Sequence, residues 1–137
     1  MVGNRIPKRC ENKMNYETLK HIYREVLLNK NKIQYNGDDK YTITAYHSNG
    51  NKYWEQEYQN GQLHGKSFGW WENGNKHWEK KYQNNQLHGK YIVWDENGNK
   101  HWKTEYQNDQ RHGKHIVWWE NGNKYWEAEY RNGVRIK

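Results

Sequence analysis

Cysteine, proline and phenylalanine each occur once in this chain of 137 residues, and serine occurs only as Ser48 and Ser67. With Cys10 alone no internal disulfide can form, which excludes a secreted scaffold stapled by cross-links. No stretch approaches the about 20 consecutive apolar residues of a membrane-spanning helix, and no apolar segment near the start resembles a secretory signal. The expectation is an intracellular, cytoplasmic protein. Leucine, isoleucine, valine and phenylalanine total 18 residues, below the roughly one-fifth of a chain at which disorder is suspected. What is present overturns that suspicion. Nine tryptophans and twelve tyrosines supply large apolar area per residue, and a net charge of +7 is too small to keep such a chain expanded. The length suits a single domain.

A period of 24 residues governs most of the chain. His-Gly-Lys recurs at 64–66, 88–90 and 112–114, and Asn-Gly-Asn-Lys at 49–52, 73–76, 97–100 and 121–124. Two residues beyond each such lysine stands Trp54, Trp78, Trp102 or Trp126, and four residues later Tyr58, Tyr82, Tyr106 or Tyr130. A fixed period changes the fold expectation before any local reading. The units run over about 38–64, 65–88, 89–112 and 113–137, the first of them partial.

Within a unit, two alternating segments lie between turn signals, the pattern of a β-hairpin. Parity sets the expected register. A two-residue Asn-Gly loop would place Trp78 opposite Gly69 and split the aromatic set between two faces, because a one-residue slip turns every side chain over. A three-residue loop, Glu72 to Gly74, with Gly74 left-handed as a bulge, gathers Phe68, Trp70, Trp78 and Tyr82 on one face and is the expected turn. Gly50, Gly74, Gly98 and Gly122 fill that slot in every unit. The other turns use Asn60-Gly61, Asn84-Asn85, Asn108-Asp109 and Asn132-Gly133, residues that tolerate positive φ. The stack of hairpins predicts a mainly β, elongated and twisted antiparallel meander of about eight strands, with the Trp54 and Tyr58 columns and Tyr46, Trp70, Trp94 and Trp118 on one face. The opposite face is charged, and a single thin sheet leaves some of its Tyr53, Trp71, Trp119 and Tyr125 uncovered as a candidate interaction surface.

Residues 1–37 differ, carrying +5 of the net charge. Leu19, Ile22, Tyr23, Val26 and Leu27 recur at helical spacing after Asn15, a suitable cap, which predicts one short N-terminal helix over about 16–29. It is placed to cap the first edge strand or to cover part of the aromatic face. Arg5, Lys8, Arg9 and Lys13 form a basic arm ahead of it.

The unit YQNGQLHGKSFGWWENGNKHWEKK resembles the MORN (membrane occupation and recognition nexus) repeat, closest to its variant class of Tyr-x-Asn-Gly-x-x-His-Gly, aromatic, Asn-Gly and Glu, over about 100 of the 137 residues. The resemblance implies a twisted single sheet of hairpins and an interaction platform, in protein scaffolds or at membranes, and bacterial relatives of the variant class are labelled antitoxins. The standard Gly-x-Gly and Gly-x-Trp elements are missing, which weakens the membrane implication. Asn, Lys, Tyr and Ile make up 55 residues, all with A/T-rich codons, pointing to a large DNA virus of protists or a low-GC bacterium.

Chemistry finds little purchase. His64, His88 and His112 stand two strands apart, about 9–10 Å, whereas one zinc holds its ligands at about 2 Å. No metal or other cofactor is expected. The pair of each histidine with Gly65, Gly89 or Gly113 reads instead as structural, the histidine bonding a neighbouring turn and the glycine admitting a bulge or a close backbone. No nucleophile stands beside a distinctive histidine and acid, and no Gly-rich loop opens a helix, so neither an enzyme nor a small-molecule substrate is expected. Nucleic acid is disfavoured because lysines alternate with glutamates along the array. The expected function is a non-catalytic scaffold that binds protein, including a second copy of itself. Two alternatives stand beside it: docking of the basic arm and sheet on anionic membrane, and an antitoxin-like or aromatic-cage ligand module.

Overall fold

The computed structural model describes residues 14–137. Helix α1 (Tyr16–Tyr23) runs into a π-helical turn (Arg24–Leu28). The strands follow as β1 (Lys32–Gly37), β2 (Lys40–Tyr46), β3 (Lys52–Gln59), β4 (Gln62–Trp70), β5 (Lys76–Gln83), β6 (Gln86–Leu87), β7 (Gly89–Trp94), β8 (Lys100–Gln107), β9 (Gln110–Arg111), β10 (Gly113–Trp118), β11 (Lys124–Arg131) and β12 (Val134–Arg135). All join one open antiparallel sheet in which sequence neighbours are spatial neighbours. The fold is the expected mainly β meander with one short helix. Its strands number twelve rather than eight, partly because the His-Gly pairs divide two return strands into β6 and β7, and β9 and β10. The sheet also starts earlier than the repeat, since β1 pairs with β2 ahead of Asp38.

The loop expectation holds and the face assignment does not. In each unit a three-residue loop is closed by two bonds: the Trp71 amide donates to Asn75 O at 2.8 Å and the Gly74 amide to Trp71 O at 2.9 Å, with Gly74 at φ +90°. One step further, Trp70 pairs with Lys76 but Gly69 pairs with Trp78, leaving His77 as an extra residue. This second bulge reverses parity. Tyr53, His101 and Tyr125 are the extra residues at the same step of the other units. Phe68 and Trp70 therefore lie on the opposite face from Trp78 and Tyr82, as do Tyr46, Trp94 and Trp118 from their Trp columns. One cross-sheet row reads Ala45, Trp54, Gly69, Trp78, Val93, Trp102, Val117, Trp126, each indole flanked by small or branched neighbours. Gly69 beside Trp78 leaves room for that ring to lie across the sheet.

The other turns are two-residue loops with both central residues at positive φ, such as Asn60 (54°) and Gly61 (79°), or Asn84 (49°) and Asn85 (67°). Their twist matches that of the strands they join. The His-Gly bulge adds two residues to the return strand, since Gln56 pairs with Ser67 but Tyr58 with Leu63, so it preserves the face. Gly65 there has φ +112° and lies against the Glu57 side chain, whose Oε1 accepts the Lys66 amide at 2.7 Å.

Both ends of the sheet are zipped from repeat to repeat. The side-chain amides of Asn49 and Asn51 donate to Glu72 O (2.8 and 2.9 Å), and those of Asn73 and Asn75 to Glu96 O (2.9 Å each). At the far end Asn85 Oδ1 accepts the Leu63 amide at 2.7 Å, and Asp109 Oδ1 the Leu87 amide at 2.6 Å. Asn75→Ala removes one such exposed bond and is expected to cost about 1 kcal/mol, read as a small fall in thermal midpoint. An unchanged midpoint would mean that the side-chain ladder adds nothing to the strand pairing.

The helix packs on the first strands of the sheet. Tyr41 and Ile43 of β2 are about fully buried, at 1% and 0% exposure, as is Thr18 of α1. His21 Nδ1 bonds the Tyr41 hydroxyl at 2.8 Å, and its ring meets Tyr58 edge-on at 4.6 Å, while Tyr41 and Tyr58 stack at 5.5 Å. Asn15 caps α1 by accepting the Thr18 amide and ties it to the sheet through Asp39 and Asn60. The helix thus meets these strands through a stripe shifted from the apolar one in the sequence. Thr18 is buried and His21, Ile22, Glu25 and Val26 are half-buried, whereas Tyr16, Leu19, Tyr23 and Leu27 are exposed.

Burial lowers the pKa of His21, and of His77 and His115 as well. The unfolded chain then binds more protons than the folded one as pH falls through about 6.5. Stability is expected to be level above about pH 7 and to decline as pH falls through 6 toward 5. A thermal midpoint that stays constant from pH 7 to 5 would show these imidazoles free to titrate in the fold.

Candidate functional site: an aromatic and acidic ledge

The parity-reversing bulge builds the candidate site. A residue extruded from the ladder cannot project with either face, and its side chain turns to the residue six positions earlier, which opens the three-residue loop. Tyr53 packs on His47 at 4.5 Å, His77 stacks on Trp71 at 3.6 Å, and Tyr125 meets Trp119 edge-on at 4.3 Å. In the third unit the two positions are Asp95 and His101. These pairs form a ledge along the Asn-Gly end of the sheet, joined to the central row where His77 meets Trp78 at 5.1 Å.

Two ledge residues reach toward the next unit. His47 Nε2 lies 2.8 Å from Trp70 O, and Trp71 Nε1 donates to Trp94 O at 3.2 Å. Of the four aromatic residues expected to stay uncovered, Tyr53, Trp119 and Tyr125 are exposed, at 44%, 54% and 58%. Trp71 is half-buried, because its indole spans to the neighbouring repeat. Their partners His47, His77, Asp95 and His101 were not singled out in the sequence. The signal was there as a six-residue spacing, but its meaning depends on the bulge.

Electrostatics separate the ledge from the flat face. Lys52, Lys76 and Lys124 pair with Glu55 (2.8 Å), Glu79 (3.3 Å) and Glu127 (3.0 Å). On that face Lys52 also lies over Trp70, Lys76 over Trp94 and Lys100 over Trp118, at 5.6, 5.4 and 5.8 Å from the ring centres. Lys52, Lys76 and Lys124 are thus held on the flat face by their glutamates. Glu72, Asp95, Glu96 and Glu120 are left there without an ion pair among the described residues. Desolvation lowers the His77 pKa, so the imidazole against Trp71 is neutral near pH 7. Between the Trp71–His77 stack and Trp119 lies a groove of about 410 Å³, with Asp95, Lys100, His101 and Glu120 along it.

Searches against protein-family models and curated proteins return no match. The functional reading therefore rests on the geometry.

The histidine column has a structural use at two positions. His64 Nδ1 accepts the Asn84 amide at 3.3 Å, and His112 Nδ1 the Asn132 amide at 3.4 Å, each in the turn of the next unit. His88 Nδ1 has no such partner among the described residues. Among the described residues, no group of three or more His, Cys, Asp or Glu is arranged to hold a metal ion, and no helix is long and apolar enough to cross a membrane. Arg5, Lys8, Arg9 and Lys13 of the basic arm lie outside the described residues.

Proposed function

We propose that this chain is a non-catalytic repeat scaffold of MORN type whose ledge binds protein, with a second copy of the chain as the first partner to test. The observation that carries this reading is the exposed ring pair of Trp119 and Tyr125, contiguous with the groove that leads to Trp71. Exposed, contiguous aromatic surface marks contact sites, and tryptophan and tyrosine supply much of the binding energy where they are buried between partners. The acids and histidines of the array recur by register or serve turns, which favours display over catalysis.

The test is light scattering on a size-exclusion column at low and high salt. A dimer that persists in high salt and dissociates in the Trp119→Ala, Tyr125→Ala double variant is expected, since aromatic contacts resist screening that weakens exposed charges. A monomer under every condition would remove self-association from the reading. Binding to anionic vesicles that collapses with salt, and with loss of residues 1–13, would replace the protein interface by the membrane alternative.

A further inference from the structure

The groove in the third unit breaks the pattern of the ledge. Where its neighbours place Trp71 and Trp119, this unit places a carboxylate, Asp95. Equivalent positions in successive units are two strands apart, about 9–10 Å, so Asp95 and His101 occupy a gap between two indole-bearing units. Asp95 Oδ1 accepts the amides of Asn97 and Asn99 at 2.9 Å each, which fixes the carboxylate at the mouth of the turn. Glu120 stands on the far wall beside Trp119.

Cations elsewhere in the molecule settle on rings. Arg111 lies over Tyr130 at 5.3 Å and Arg135 over Trp126 at 5.2 Å, in addition to the lysines over Trp70, Trp94 and Trp118. No cation among the described residues lies over Trp71 or Trp119, and neither Asp95 nor Glu120 has an ion pair among them. The one cation in the groove's lining, Lys100, lies over Trp118 at 5.8 Å and pairs with neither carboxylate. The groove therefore offers aromatic walls and two carboxylates without an ion pair among the described residues, with a neutral imidazole behind Trp71. This combination complements a planar, weakly hydrated cation. A guanidinium stacks on aromatic faces and bonds carboxylates in its own plane, whereas an ammonium is a compact, strongly hydrated charge. Anionic ligands are repelled by the same carboxylates.

We propose that this groove receives the guanidinium of an arginine presented by a partner protein. The assignment rests on the scaffold reading for its biological source, but its chemistry can be tested alone. The experiment is a titration of the full chain, labelled at the tryptophan indole nitrogens, with N-acetylarginine amide, followed by NMR. Saturable shifts of the Trp71 and Trp119 indole signals, with Trp54 unmoved, are the expected result. N-acetyllysine amide with a free ammonium should bind more weakly, and cellobiose should leave the signals in place.

Asp95→Asn keeps an oxygen to accept the turn amides while removing the charge, and Glu120→Gln alters only an exposed side chain. Each is expected to weaken arginine binding about fivefold, the effect of a single exposed ion pair, with an otherwise unchanged spectrum. Absence of arginine-induced shifts, an affinity in both variants unchanged from that of the original chain, or saturable binding of cellobiose would overturn the proposal. If arginine fails to bind while Trp119→Ala, Tyr125→Ala still abolishes self-association, the groove assignment fails and the scaffold stands. If arginine binds as expected but no self-association is found, the groove stands and the second copy is excluded as its partner.

Discussion

Gly69→Ala is expected to destabilise the protein by about 2–3 kcal/mol, the upper range for overpacking a filled site. The sign is what makes the substitution informative. Gly69 sits at an ordinary strand position without a positive φ, where alanine would usually stabilise by about 0.4–1 kcal/mol through the unfolded chain. Here the added Cβ would lie 2.4 Å from three atoms of the Trp78 indole. The ring has little room to retreat, because its Nε1 bonds Ser67 Oγ at 3.3 Å, and Ser67 is fully buried. Urea unfolding of the single variant and of Gly69→Ala, Trp78→Leu gives the check. Removal of the indole should recover much of the loss, as expected for directly coupled neighbours. A neutral or stabilising Gly69→Ala would mean that the indole does not lie across Gly69.

The second large effect falls two strands away, on β2. Ile43→Ala is expected to cost about 3 kcal/mol, within the range for truncating a buried aliphatic side chain. Fully buried hydrophobic side chains are scarce among the described residues, and Ile43 at 0% exposure shares the face of β2 that carries Tyr41. Such a loss has no second core to absorb it. Hydrogen exchange should show α1 and β1 to β3 losing protection more than β8 to β11, because contacts run between neighbouring strands and local openings follow local contact. Uniform loss of protection along the sheet would instead indicate one cooperative unit from end to end.

Several features were legible in the residues alone. The 24-residue period gave the hairpins, and the Asn-Gly sites gave the turns. The three-residue loop also followed, because Gly50, Gly74, Gly98 and Gly122 all stand where one left-handed residue closes the loop. Asn15 correctly marked the start of α1. These are local properties, fixed by the φ preferences of a few residues and the bonds they make within a few positions.

Other features were not legible, for an equally specific reason. The extra residue at Tyr53, His77, His101 and Tyr125 leaves no composition signal, since it is decided by whether an indole can lie over the residue opposite it. That small step turned Phe68 and Trp70 to the other face and set the ledge in place. The helix's packed face was only partly legible. Ile22 and Val26 of its apolar stripe are half-buried as that stripe suggested, but hydrogen bonds from His21 to Tyr41 and from Asn15 to the turns rotate the face, leaving Leu19 and Tyr23 exposed.

The sequence by itself thus determined the repeat, the turns and the meander, because hairpin geometry depends on residues close along the chain. Only the tertiary structure decided which rings share a face, where the carboxylates of the ledge stand unpaired, and how the helix sits. These depend on contacts across strands, where a single extruded residue reverses every side chain beyond it.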